Sequence, residues 1–180
     1  MSLKWIPNAL TLARCALAFV VGGLILGIGR EAPAHWLAFA MFVFVALTDF
    51  VDGYAARKLD AVSAFGAFMD PIGDKLLVAA SLLALSANAG WSLWLVVPST
   101  LIIARDLFVT LIRLRPNVSL PVTRLAKWKT AFEMLGIGGY LLGAALPHAG
   151  LLHVSLGLIL LAAAMSVYTG ALYLRSMMKG

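Results

Sequence analysis

Asp49 and Asp52 stand three residues apart, and Asp70 and Asp74 four apart, in a 180-residue chain with only eight acidic residues. On a helix both spacings put a pair of side chains on one face. The break between the pairs, Asp60–Phe65, is short, so the two helices are expected to be antiparallel neighbours with their acidic faces meeting. Four carboxylates converging away from water repel one another, and a divalent cation relieves that repulsion. The donors are all hard oxygens, with no His or Cys among them, which favours Mg²⁺ or Mn²⁺ over Zn²⁺. Two such ions sharing the four aspartates is the expected arrangement. The structural alternative, a salt-bridged interfacial face, needs far fewer acids than these.

The neighbouring residues suit an anionic substrate. Gly53 and Ala56 lie on the face near Asp49 and Asp52, and Gly66 precedes Asp70 by one turn. Glycine is costly inside a helix, so each glycine serves either helix packing or the close approach of a ligand. Arg57 closes the segment, placed to meet a phosphate through paired hydrogen bonds.

The elements that must hold these residues follow from composition. The chain is 62% hydrophobic and 12% charged, against roughly 45–50% and about 25% in soluble domains. That excludes a soluble globular enzyme, a disordered chain and a disulfide-stapled domain. Cys15 is the single cysteine, inside an apolar run, and reads as a packing residue. Apolar runs and their breakers predict six helices at 6–29, 34–57, 66–88, 91–114, 125–146 and 150–176, an all-α integral membrane protein of one domain over 1–180. The apolar stretch after Lys4 is long, contains Arg14 and lacks a small-x-small cleavage site, so it reads as a retained first span.

Charge gives the orientation. With Lys4 cytoplasmic, thirteen of the fourteen Lys and Arg residues fall on the cytoplasmic side and only Arg30 on the other, which predicts both termini inside. This bias accounts for the net charge of +6 without nucleic acid, which would need a basic face on a soluble scaffold. Of the acids, only Glu31 lies outside. Asp49 is eight residues from Arg57, or ~12 Å along a helix, so the acidic site is recessed just below the lipid headgroups.

The stretch Asp49-Phe-Val-Asp52-Gly53-Tyr-Ala-Ala56-Arg57, followed by Gly66-Ala-Phe-Met-Asp70-Pro-Ile-Gly-Asp74, resembles the CDP-alcohol phosphotransferase signature D-x-x-D-G-x-x-A-R…G-x-x-x-D-x-x-x-D, with every fixed position present. The opening Asn8-Ala-Leu-Thr11-Leu-Ala-Arg14 looks like the N-x-x-T-x-x-R start of that family, which adds Asn8, Thr11 and Arg14 as candidate site residues. Ile103-Ala-Arg105-Asp106 and Lys127-Trp-Lys129-Thr130 look like segments of its phosphatidylglycerophosphate-forming branch. The resemblance implies six transmembrane helices, a homodimer, and transfer of a phosphatidyl group from CDP-diacylglycerol to an alcohol with release of CMP. By position, Asp49, Asp52, Asp70 and Asp74 would bind the metals, and Asp74 would also act as general base. Gly53, Ala56, Arg57 and Gly66, with Asp49, Asp52 and Asp70, would hold the nucleotide. A bacterial inner membrane, with the site facing the cytoplasm, is the expected location.

The acceptor is read from a second charged group: Arg105, Arg113, Arg115, Arg124, Lys127 and Lys129. Arg113 and Arg115 fit topology and headgroup attraction. Arg105, Lys127 and Lys129 lie within or at the start of predicted spans and are the candidates for an acceptor phosphate, as sn-glycerol 3-phosphate would require. Phosphatidylglycerol, as in the membrane-embedded cardiolipin synthases, and inositol phosphate are the alternative acceptors. Glu133 can pair with Lys129 one turn earlier. His35, His148 and His153 belong to the outer interface, with Trp36, Trp91 and Trp94. A small cation or solute transporter is the rival class, but transporters usually place such acids near the bilayer midplane on broken helices.

Overall fold

The computed structural model describes residues 5–27, 32–58, 64–113, 124–146 and 148–178; side chains are described for 12–27, 34–48, 72, 73, 75–112, 125–146 and 148–175. The architecture is all-helical: α1 Trp5–Leu26, α2 Ala32–Lys58, α3 Ala64–Asn88, α4 Leu93–Arg113, α5 Arg124–Ala145 and α6 Ala149–Met178. Each predicted helix is present, with ends displaced by a few residues. The start of α4 shows why. Gly90 and Trp91 both take positive φ, 64° and 58°, a conformation that ends α3 and cannot continue into a helix. Trp91 N–H donates back to Ser86 O at 2.8 Å, and Ser92 O accepts from Leu95 and Val96. The turn therefore consumes Trp91 and Ser92 before α4 begins.

The helices form a closed ring, α1 against α3, then α4, α6, α5, α2 and back to α1, with α3 also touching α5 across the middle. The expected meeting of the acidic ends of α2 and α3 falls on residues 49–58 and 64–74, whose acidic side chains lie outside the described set. Among the described residues the two are joined through α1, their common partner. The packing of α1 on α3 is close: a Cβ added to Gly22 would lie 3.2 Å from the Ala80 Cβ, tighter than an ordinary contact. At their far ends, Asn88 Nδ2 donates to Ile25 O at 2.6 Å, closing the last turn of α1 with a side chain of α3.

The tightest seam joins α5 and α6. Gly136, Gly139 and Gly143 share one face of α5. A Cβ at Gly139 would fall 2.5 Å from Ser155 Oγ, and one at Gly136 2.7 Å from Ile159 Cγ1. Small residues at this spacing let helix backbones approach closely, the packing mode of membrane helices. The connection is short. His148 N–H donates to Gly143 O, and His148 Nδ1 accepts from Leu151 N–H at 3.2 Å, so His148 closes the first turn of α6.

Inside the ring lie Val21, Ile25, Val45, Leu82, Ile102, Ile137, Leu141 and Ile159, all fully buried. The outer surface is also apolar: Phe19, Leu93, Trp94, Leu135 and Val154 are all more than half exposed, with Trp94 at 70%. Water does not suit such a surface. Residues Leu93–Ile112 and Ala149–Arg175 form helical stretches long and apolar enough to cross a membrane.

Candidate active site

The acidic motif occupies two helix ends. Asp49, Asp52, Gly53, Ala56 and Arg57 lie on the last turns of α2, and Gly66, Asp70 and Asp74 on the first turns of α3. Both stretches are helical, the condition on which the expected pairing of aspartates by spacing rests. The side chains of all eight residues lie outside the described set, as do those of Asn8 and Thr11 on α1.

Arg14 ties α1 to this region. It is buried, at 6% exposure, and runs alongside Gly73, where an added Cβ would sit 3.7 Å from Arg14 Nε and 3.6 Å from Cys15 Sγ. Gly73 lies between Asp70 and Asp74, so an arginine of α1 reaches the very turn of α3 that carries the second acidic pair. Cys15 is half-buried and takes the packing position expected of it. Sequence reasoning did not single out Gly73. Its signal was a glycine in mid-helix, a costly choice that leaves a flat surface for the arginine beside it.

The second charged group is a buried network spanning three helices. Asp106 of α4 is its hub. Arg105 Nη1 donates to Asp106 Oδ1 at 2.8 Å, and Lys129 Nζ of α5 donates to the same oxygen. Lys75 Nζ of α3 approaches Oδ2 at 3.2 Å. Glu133, one turn along α5, lies 2.9 Å from Lys129 Nζ, the pairing its spacing predicts. The Lys129 side chain is 1% exposed, against 28% for Lys75. A fourth helix joins from α6: the Tyr173 ring lies under the Arg105 guanidinium, 5.5 Å from centroid to Cζ, a favourable cation–π contact.

Of the expected acceptor residues, Arg105 and Lys129 come together on one carboxylate, and Lys127 does not join them. Lys127 is exposed. Two residues along a helix is a rotation of ~200°, so Lys127 and Lys129 cannot share a face. Lys75, Asp106 and Tyr173 are the network members that sequence reasoning did not assign to this pocket. Lys75 had a legible signal, being adjacent to Asp74. Tyr173 had none, because nothing local relates α6 to α4.

The aspartate motif on the ends of α2 and α3, the charged network centred on Asp106 and the apolar outer surface suit a membrane-associated enzyme. Comparison with known proteins gives the class: the CDP-alcohol phosphatidyltransferase family model matches residues 4–169. The chain belongs to that family. It is 42% identical over 150 residues to a CDP-diacylglycerol–glycerol-3-phosphate 3-phosphatidyltransferase of Cereibacter sphaeroides, covering 81% of this chain and 67% of that protein. A protein of the same name from Rickettsia typhi is 35% identical over 180 residues, covering 97% of each chain. A third, numbered 2 in Arabidopsis thaliana, is 34% identical over 187 residues, covering 94% of this chain and 78% of its own.

Proposed function

We propose that this chain transfers the phosphatidyl group of CDP-diacylglycerol to sn-glycerol 3-phosphate and releases CMP. The observation that carries this is the end-to-end likeness to the Rickettsia typhi protein, whose name specifies both donor and acceptor. The clustered cations Arg105, Lys129 and Lys75, the first two largely buried, support a phosphorylated acceptor, since a neutral alcohol would need none of them.

The donor set fits a divalent metal: four side-chain carboxylates, all hard oxygens, on the adjoining ends of consecutive helices. Asp49, Asp52, Asp70 and Asp74 would hold Mg²⁺ or Mn²⁺, two ions being the expected number. When bound, the metal supplies Lewis acidity at phosphorus and offsets the pyrophosphate's negative charge. Gly53, Ala56, Arg57 and Gly66 cradle the cytidine diphosphate, with Asp49, Asp52 and Asp70 contributing. Asp74 takes the proton from the acceptor hydroxyl as its oxygen bonds to the phosphorus carrying the diacylglycerol. The bond from that phosphorus to the CMP oxygen breaks, and CMP leaves. Asn8, Thr11 and Arg14 of α1 are further candidate site residues, and Lys127, exposed on another face of α5 from Lys129, is left out of the acceptor pocket.

All six helices span the membrane, both termini are cytoplasmic, and the protein works as a homodimer in a bacterial inner membrane. The two long apolar helices and the apolar outer surface support the spans. The test is CMP release from CDP-diacylglycerol by the purified protein with Mg²⁺ or Mn²⁺, across a panel of glycerol 3-phosphate, phosphatidylglycerol and inositol phosphate. Release with glycerol 3-phosphate alone is expected. Release only with another acceptor would move the chain to another branch of the family. Metal flux into proteoliposomes without CMP release would make it a transporter.

A further inference from the structure

Among the described residues the network holds three cations and two carboxylates, an excess of one positive charge. Lys129 does not carry it, because Lys129 lies between Asp106 and Glu133 and is almost fully buried. Lys75 is held by the second oxygen of Asp106. Arg105 differs from both. Its Nη1 is committed to Asp106, its face rests on Tyr173, and its stem passes Gly170, where an added Cβ would lie 3.4 Å from Arg105 Cγ. The side chain is only 9% exposed, yet Nε is a buried donor with no hydrogen-bond partner among the described residues. A guanidinium fixed on one edge and one face, with a buried donor left unmatched on the opposite edge, has the chemistry that suits an oxyanion.

We infer that Asp106 and Tyr173 are positioning residues that hold the Arg105 guanidinium in the orientation that receives the acceptor's phosphate. The assignment rests on the phosphorylated acceptor proposed above. It also brings α6 into the site, through Tyr173 and Gly170. Asp106 does two jobs that an apolar residue could not. It anchors Arg105 by a hydrogen bond between neighbours on α4, and it gathers Lys75 and Lys129 from α3 and α5, so that the three cations stay together despite their mutual repulsion. Without it, Arg105 keeps its charge but loses its aim. A residue that acts by orienting a binding group affects the affinity for that ligand and leaves the other substrate alone.

The experiment measures steady-state kinetics of CMP release by the full-length protein in lipid or detergent, varying glycerol 3-phosphate and CDP-diacylglycerol separately. Asp106→Asn is expected to raise the KM for glycerol 3-phosphate by about tenfold or more, the usual size of a lost charge-assisted hydrogen bond, with the CDP-diacylglycerol KM within about twofold of wild type. Asp106→Glu should recover most of that loss. Tyr173→Leu, which leaves the ion network intact, should raise the same KM about threefold, as loss of a cation–π contact does, and Tyr173→Phe, which keeps the ring, should restore it. The tyrosine pair decides the matter if Asp106→Asn does not fold. Equal changes in both KM values, a fall in kcat alone, or no difference between Tyr173→Leu and Tyr173→Phe would overturn the assignment. Wild-type protein that releases CMP with other acceptors but not with glycerol 3-phosphate would overturn the acceptor reading and this assignment with it. An active wild type with insensitive variants would overturn this assignment alone.

Discussion

In the proposed reaction Asp74 would combine two duties, ligand to a metal and base toward the acceptor hydroxyl, and only the second requires a basic oxygen at the moment of transfer. Asp74→Asn keeps size and polarity but removes that basicity. It should lower the rate of CMP release by about a hundredfold or more, the size of a lost general base, while CDP-diacylglycerol still binds in an equilibrium assay. Unchanged turnover would refute the role. The helices that carry the four aspartates were legible in the sequence, and spacing along a helix is local information that does not depend on what surrounds it. Glu133 was legible for the same reason, through its one-turn relation to Lys129. The partners of Arg105 were only half legible. Asp106 is its sequence neighbour, but Tyr173 is sixty-eight residues away and meets it only because α4 packs on α6.

At the level of helices, the structure depends on backbones that approach closely. Gly139 faces Ser155 with no room for a β-carbon. Gly139→Leu should therefore destabilise the α5–α6 pair by about 1–3 kcal/mol, as overpacking does, and lower the midpoint of thermal unfolding in detergent. Gly157 is the control, since a Cβ there meets nothing within 4 Å; Gly157→Ala should be neutral or slightly stabilising, because alanine is the better helix former. Equal midpoints for the two variants would show that the close seam contributes nothing. The positions of the helices were readable from apolar runs and breakers, and their ends less so. The shift at the start of α4 came from the left-handed conformation of Trp91, which a tryptophan's identity does not announce.

For the whole molecule, the decisive property is which face of the membrane holds the acids. The bias of thirteen cations to one predicts that the termini and the site lie on the cytoplasmic side. With Cys15 replaced by serine, a membrane-impermeant maleimide should label Glu31→Cys in intact cells and should label Lys179→Cys only after the membrane is opened. The reverse pattern would invert the protein and detach the site from a cytoplasmic acceptor. By itself the sequence determined the class of molecule, the six helices and the acidic motif, because composition, apolar run length and one-turn spacing all act within a single segment. Only the tertiary structure decided that α1 packs on both α2 and α3, that Lys127 parts from Lys129, and that Asp106 gathers cations from three helices over a tyrosine of a fourth. Those facts depend on which helix faces touch. Small residues spread along the chain set those contacts by how closely they let backbones approach, and no local pattern records which partner each will meet.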